Sequence, residues 1–196
     1  MRLRRGGFDM LVRDILKFSA DYLGLKSVKN YLNGDSELTD EVLEDLDNLL
    51  LSVNMVNNNI ASSYIELNST KELFVKNNLV KFTEISKRPI IEIKSIKNNG
   101  YGDIAYKVFP EGVEVEKVGH CFIEFTYFPD KVEIDSEINH YLKLNEMIFA
   151  MGVVGEFLFI KGAIDDAYMW DKRFKTAMFN LLRPRKNIVM PKRRWL

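Results

Sequence analysis

Thr39-Asp-Glu-Val-Leu-Glu-Asp-Leu-Asp-Asn-Leu-Leu-Leu-Ser-Val-Asn-Met-Val-Asn-Asn-Asn-Ile60 is the stretch whose periodicity decides the fold class. Val42, Leu46, Leu49, Val53, Val56 and Ile60 recur at spacings of four and three, which places them on one side of a helix. Leu43 and Leu50 widen that apolar face. Thr39 has the side chain of an N-cap, and Asp40 and Glu41 fall in the first turn, where the helix dipole favours negative charge. The stretch predicts a helix of six or seven turns that needs other elements to cover it.

Those elements lie on both sides. Upstream, Asp9 can cap a helix that carries Val12, Ile15, Leu16, Ser19 and Leu23 on one stripe and stops at Gly24. A short helix over Ser27–Leu32 ends at Asn33-Gly34. Downstream, Ile138 to Lys161 reads as nearly continuous helix, apolar almost all round and therefore central. Leu142, Asn145, Phe149, Gly152, Glu156 and Phe159 run down one side, and Leu144, Ile148, Met151, Gly155 and Leu158 down another. After Gly162 a last helix carries Ile164, Ala167, Trp170, Phe174, Met178 and Leu181. Asp165 and Asp166 open it and Arg183 follows it, in agreement with its dipole.

Between the helical halves the period drops to two, the signature of strands. Leu73–Lys76, an Asn77-Asn78 turn and Leu79–Thr83 read as a hairpin. Ile90–Lys97 leads through Asn98-Asn99-Gly100 to Ile104–Phe109, and Val113–Glu116 and His120–Phe128 complete the series. Phe109, Phe122, Phe125, Tyr127 and Phe128 would fill the core of this small sheet, sandwich or barrel. The expected architecture is α+β: a helical bundle (1–68 and 133–182), an antiparallel β-domain (69–132) inserted between the second and third long helices, and an extended C-terminal arm (183–196).

With 28 basic and 28 acidic residues among 196, the chain lacks the basic excess of a general nucleic-acid-binding domain. Both ends are basic, while Asp35, Glu37, Asp40, Glu41, Glu44, Asp45 and Asp47 gather in one acidic run. The distribution suits self-association or docking. Cys121 stands alone, so no intrachain disulfide is possible, as expected for a reducing cytosol. Arg2–Arg5 are followed by a segment broken by charges, which reads as no signal peptide, and Met147–Gly155 is half of a membrane span.

Chemical motifs are sparse. Glu137-x-x-His140 has the i, i+3 spacing of di-iron bundle ligands, but such sites need a second motif and further glutamates; it reads as a polar pair on a helix face. His120 and Cys121 are neighbours on a strand and point to opposite faces, so they form no thiolate pair. Gly100-x-Gly102 opens no helix and lacks the context of a phosphate loop. The reading is a non-enzyme without metal or cofactor.

The ending Arg183-Pro-Arg-Lys-Asn-Ile-Val-Met-Pro-Lys-Arg-Arg-Trp-Leu196 carries six Lys or Arg and no acid. Pro184 and Pro191 favour extension, and the residues from Pro184 can reach roughly 40–45 Å at ~3.3 Å each. Its apolar residues need cover, which a frayed terminus would not supply. In order of elements, the chain resembles the head-to-tail adaptor (connector) proteins of tailed bacteriophages. At residue level the likeness lies in Tyr141–Gly162, in Ala163–Trp170 and in the basic ending, which are similar to adaptors from phages of low-GC Gram-positive hosts. Met1–Asp9 departs from that pattern, since Met10 would itself be a natural start; the segment is either an extra contact arm or an early start codon.

The resemblance implies a virion neck protein, assembled in the host cytoplasm. It would form a homo-oligomeric ring of twelve subunits between the portal and the next neck or tail protein, with double-stranded DNA passing through without sequence-specific contact and no membrane involved. Arg183, Arg185, Lys186, Lys192, Arg193 and Arg194 would then meet acidic portal surface, with Ile188, Met190, Trp195 and Leu196 in portal pockets. The alternatives are a tail-terminator or tail-completion ring protein, and a DNA-binding protein that uses the basic arm.

Overall fold

The computed structural model describes residues 10–98, 102–141 and 143–183. It is an α+β protein whose elements run helices, strands, helices. Met10–Leu11 (β1) leads into Val12–Leu23 (α1), then Lys26–Asn33 (α2) and Asp40–Ser63 (α3). Asn68–Val75 (β2), Leu79–Lys81 (β3), the single turn Phe82–Ile85 (α4), Ile90–Asn98 (β4), Gly102–Asp103 (β5), Tyr106–Phe109 (β6), Gly112–Val115 (β7) and Gly119–Tyr127 (β8) follow. Glu137–Ile138 (β9), Glu146–Ile160 (α5) and Ile164–Leu182 (α6) close the order.

The long helix forms as its pattern demands. Thr39 Oγ1 accepts from the Val42 amide at 3.4 Å, and Leu46, Leu49, Val53, Val56 and Ile60 are buried. The start of α1 differs from expectation. Its N-cap is Leu11, with no side-chain cap bond. Met10–Leu11 instead pair with Glu137–Ile138 in a two-stranded sheet, so the backbone before the helix is engaged in a ladder. Gly24 and Gly34 terminate α1 and α2 at φ 71° and 84°, values a β-carbon would resist.

The central helix is shorter than the apolar run suggested. It starts at Glu146, capped by Asn145, whose Oδ1 accepts from the Ile148 amide at 2.9 Å. Ile138, Tyr141 and Leu144 are buried, Leu144 as its stripe required, but from a strand and a loop. Threefold spacing of buried residues is not unique to helices, and Asn145 is a stronger start signal. The Glu137/His140 pair is accordingly not on a helix: Glu137 lies in β9 and His140 in the loop after it. Leu142 lies outside the described residues. α5 is nonetheless central and packs against α1, α3 and α6. Gly152 is why it fits: a β-carbon there would lie 3.0 Å from Val56 Cγ1 and 3.2 Å from the Phe174 ring.

The strand region makes two antiparallel sheets, ordered β2-β8-β4-β5 and β3-β7-β6. The expected Leu73–Thr83 hairpin does not form. β2 pairs with β8 along Asn68↔Thr126 to Val75↔Gly119, and β3 pairs with β7. Residues 76–78 bend the chain from one sheet to the other, and Phe82–Ile85 turn helically. The nine-residue, alternating β8 offers β2 a far longer ladder than three-residue β3 could. The shared core is mostly Val and Ile (Val75, Val80, Ile93, Ile96, Val113, Val115, Ile123), with Cys121 and Phe125. Of the five expected core aromatics only Phe125 is buried, and Phe109 is exposed. β-branched residues suit the buried, pleated faces of these sheets.

Helices α1, α2, α3, α5 and α6 contribute to a second core that includes Ile15, Leu16, Leu49, Val53, Phe149, Val153 and Phe174. Tyr127 touches both cores. Asn54 fastens the returning chain to α3: its Nδ2 donates to Val132 O at 3.1 Å and its Oδ1 accepts from Val132 N at 2.9 Å.

Candidate docking surfaces

Of the ten residues expected to dock, Arg185, Lys186, Ile188, Met190, Lys192, Arg193, Arg194, Trp195 and Leu196 lie outside the described residues. Arg183 is placed. It is the exposed C-cap of α6, its amide bonded to Phe179 O at 3.0 Å. The helix that leads into the tail has two apolar stripes. Ala167, Phe174 and Met178 form the buried one. Ile164, Tyr168, Phe179 and Leu182 form the other, on the same face as Lys172 and Lys175, at successive spacings of four, four, three, four and three. Tyr168 is 61% exposed and Phe179 66%. Phe159 of α5 meets Tyr168 edge-on at 5.4 Å and continues the patch. Lys175 is held 2.7 Å from Asp171, which raises the pKa of its ammonium. Burying each large apolar side chain is worth about 1.5–3 kcal/mol, so this face has much to gain from a cover.

A second such face lies on α3, away from Leu49, Val53 and Val56. Asp40, Glu44, Asp47, Leu51 and Met55 follow one another at spacings of four, three, four and four, with Leu51 52% exposed and Met55 41%. Lys161, at the end of α5, reaches Glu44 at 2.8 Å and Asp45 at 3.0 Å. That contact holds the Glu44 carboxyl below its ordinary value and raises the lysine. The remaining acids of the run, Asp35, Glu37, Asp40, Glu41 and Asp47, are exposed.

The residues weighed for catalysis are set differently. His120 and Cys121 do face opposite ways: Cys121 is 1% exposed and burial pushes its thiol up, while His120 points outward beside Glu72 and Phe74. His140 lies in a polar seam beside α3, with Nε2 3.4 Å from Asn57 Oδ1 and its ring edge-on to Tyr141 at 4.2 Å. The Tyr141 hydroxyl donates to Asn57 O at 2.9 Å, and burial raises its pKa. Burial, then nearby Arg88, pushes His140 down, with Asp130 opposing, so the neutral imidazole is favoured. Asn57 Nδ2 finds no partner among the described residues. Turning the amide over would let it donate to Nε2. The seam secures α3 to the loop after β9 by hydrogen bonds. Among the described residues no group of three or more His, Cys, Asp or Glu could hold a metal, and no helix is long and apolar enough to cross a membrane.

No protein-family model matches the chain, and no curated protein matches it in sequence. The surfaces themselves therefore carry the functional argument. The outer stripe of α6 escaped the sequence reading although its signal was there. A helix with one buried stripe needs no second, and the reading assigned Ile164 to the core, whereas it is 47% exposed.

Proposed function

We propose that this chain is a structural virion protein, a head-to-tail adaptor. Its copies assemble as a ring that joins the portal to the neck or tail and lets DNA pass. The observation that carries this reading is the end of the chain. A helix with an apolar face exposed among the described residues is followed in sequence by a fourteen-residue segment, 183–196, with six cations, no acid, and Trp195-Leu196. Such a combination is suited to a protein surface, where buried aromatics and arginines dominate binding. The order of elements, helices around a strand region, supports the same reading. Repeated around a ring, weak single contacts sum to a tight joint.

Deletion of 184–196 tests the proposal. The truncated chain should fold normally yet fail to bind portal particles in co-sedimentation; retained portal binding would remove the docking role. Trp195→Ala, which keeps every charge, should weaken binding as well. The basic segment also favours a second reading, a DNA-binding arm. That arm would give duplex binding that falls steeply with salt and would be indifferent to Trp195→Ala.

A further inference from the structure

We infer that the outer face of α6 in one copy packs against the outer face of α3 in the next, so that self-association runs head to tail. The inference deepens the ring reading and rests on it. Both faces leave large apolar side chains in water: Tyr168 and Phe179 on α6, Leu51 and Met55 on α3. Their charges are opposite. Lys172 and Lys175 interrupt the α6 stripe and Arg183 closes it, while Glu44 and Asp47 precede Leu51 on the α3 stripe.

Pairing α6 with itself about a two-fold axis would bring Lys172 and Lys175 of both copies together near the helix midpoint, where like charges oppose docking. Pairing α6 with α3 covers apolar with apolar and sets cations against anions. Because the two faces are different, each copy can engage two neighbours, and the contact propagates until it closes into a ring or continues as a filament. Among the described residues Lys161 pairs with Glu44 and Asp45 alone, which leaves Asp40, Glu41 and Asp47 exposed. Asp165, beside the α6 stripe, opposes the match, and Lys175 and Glu44 already pair with Asp171 and Lys161 of their own subunit; the complementarity is carried by Lys172 and Arg183 on α6 against Asp40 and Asp47 on α3.

Single cysteines test the geometry on the full-length chain, with Cys121 buried and shielded. F179C and M55C would be treated with a short bis-maleimide, each alone and as a mixture, free and bound to portal particles. The expected result is a crosslinked dimer only in the mixture, and a ladder of multimers from the F179C/M55C double variant. Crosslinking of either single variant with itself would overturn the inference in favour of a two-fold contact. Absence of any crosslink in both states would overturn it too. K172E/K175E should reduce the ladder about tenfold or more, and adding E44K/D47K should restore it, an outcome that a folding defect cannot give. Electron microscopy of the portal-bound sample separates the two levels of argument. Rings without the crosslink would sink this contact alone; no rings at all would sink the adaptor reading.

Discussion

Replacing Gly152 and Gly155 with alanine, one at a time, should move stability in opposite directions although both lie mid-helix in α5. Either change gains the helix propensity that glycine lacks, about 1 kcal/mol. At Gly155 the new methyl would meet Asp171 N at 3.4 Å and Ala167 O at 3.7 Å, which is ordinary contact. The propensity gain should survive, leaving Gly155→Ala more stable by about 0.5–1 kcal/mol. At Gly152 the methyl would lie 3.0 Å from Val56 Cγ1 and 3.2 Å from two carbons of the Phe174 ring. Val56 and Phe174 are buried at 1% and 2% exposure and cannot swing aside. Overpacking costs about 1–3 kcal/mol, which exceeds the propensity gain for most of that range. The two variants should differ by about 1–2 kcal/mol in urea unfolding followed by circular dichroism, with unchanged slopes. If Gly152→Ala proved as stable as Gly155→Ala, the close approach of α3 and α6 across α5 would be wrong.

Glu156 offers a pH test. Burial first, then the neighbouring Asp171 carboxylate, hold its pKa above the ordinary 4.5, with Lys175 opposing. Its charged form is therefore disfavoured by folding: the penalty is present above the raised value and is relieved as pH falls through it toward 4.5. Glu156→Gln should raise the melting temperature at neutral pH, and the advantage should fade across that acid window; a constant difference would refute the assignment. Asn54→Ala removes both bonds to Val132 and should cost about 1–3 kcal/mol, measured as a shift in the urea midpoint at constant slope. Thr39→Ala removes the α3 cap and should cost about 1 kcal/mol, visible as earlier thermal melting with the helical signal otherwise intact.

The helices were legible because their signals are local. The stripe from Val42 to Ile60, Thr39 at its start, and glycines after α1 and α2 each act within a few residues. Pairing of strands was not legible, since it is settled by partners far along the chain: β2 had to choose between nearby β3 and distant β8, and the length of β8 decided. The run from Ile138 misled for a related reason. Its apolar residues point into the bundle as in a helix, yet Ile138 is held by a ladder with Met10, more than a hundred positions away. The C-terminal segment, read as a docking arm from its charge, prolines and apolar residues, falls outside the described residues except for Arg183, and the exposed stripe of α6 is what the structure added.

The strands β2 and β8 by which the chain enters and leaves the sheets are direct neighbours, Asn68 opposite Thr126, and Tyr127 N donates to Leu67 O at 3.2 Å. The helical core is thus interrupted at one point, not two. A tight turn joining Leu67 to Tyr127 would excise everything between them without moving either end. The shortened chain should keep its helical signal and the crosslink between α3 and α6. By the same geometry, the strands between Leu67 and Tyr127 could be lengthened or shortened without displacing the points at which the chain leaves and rejoins the helices.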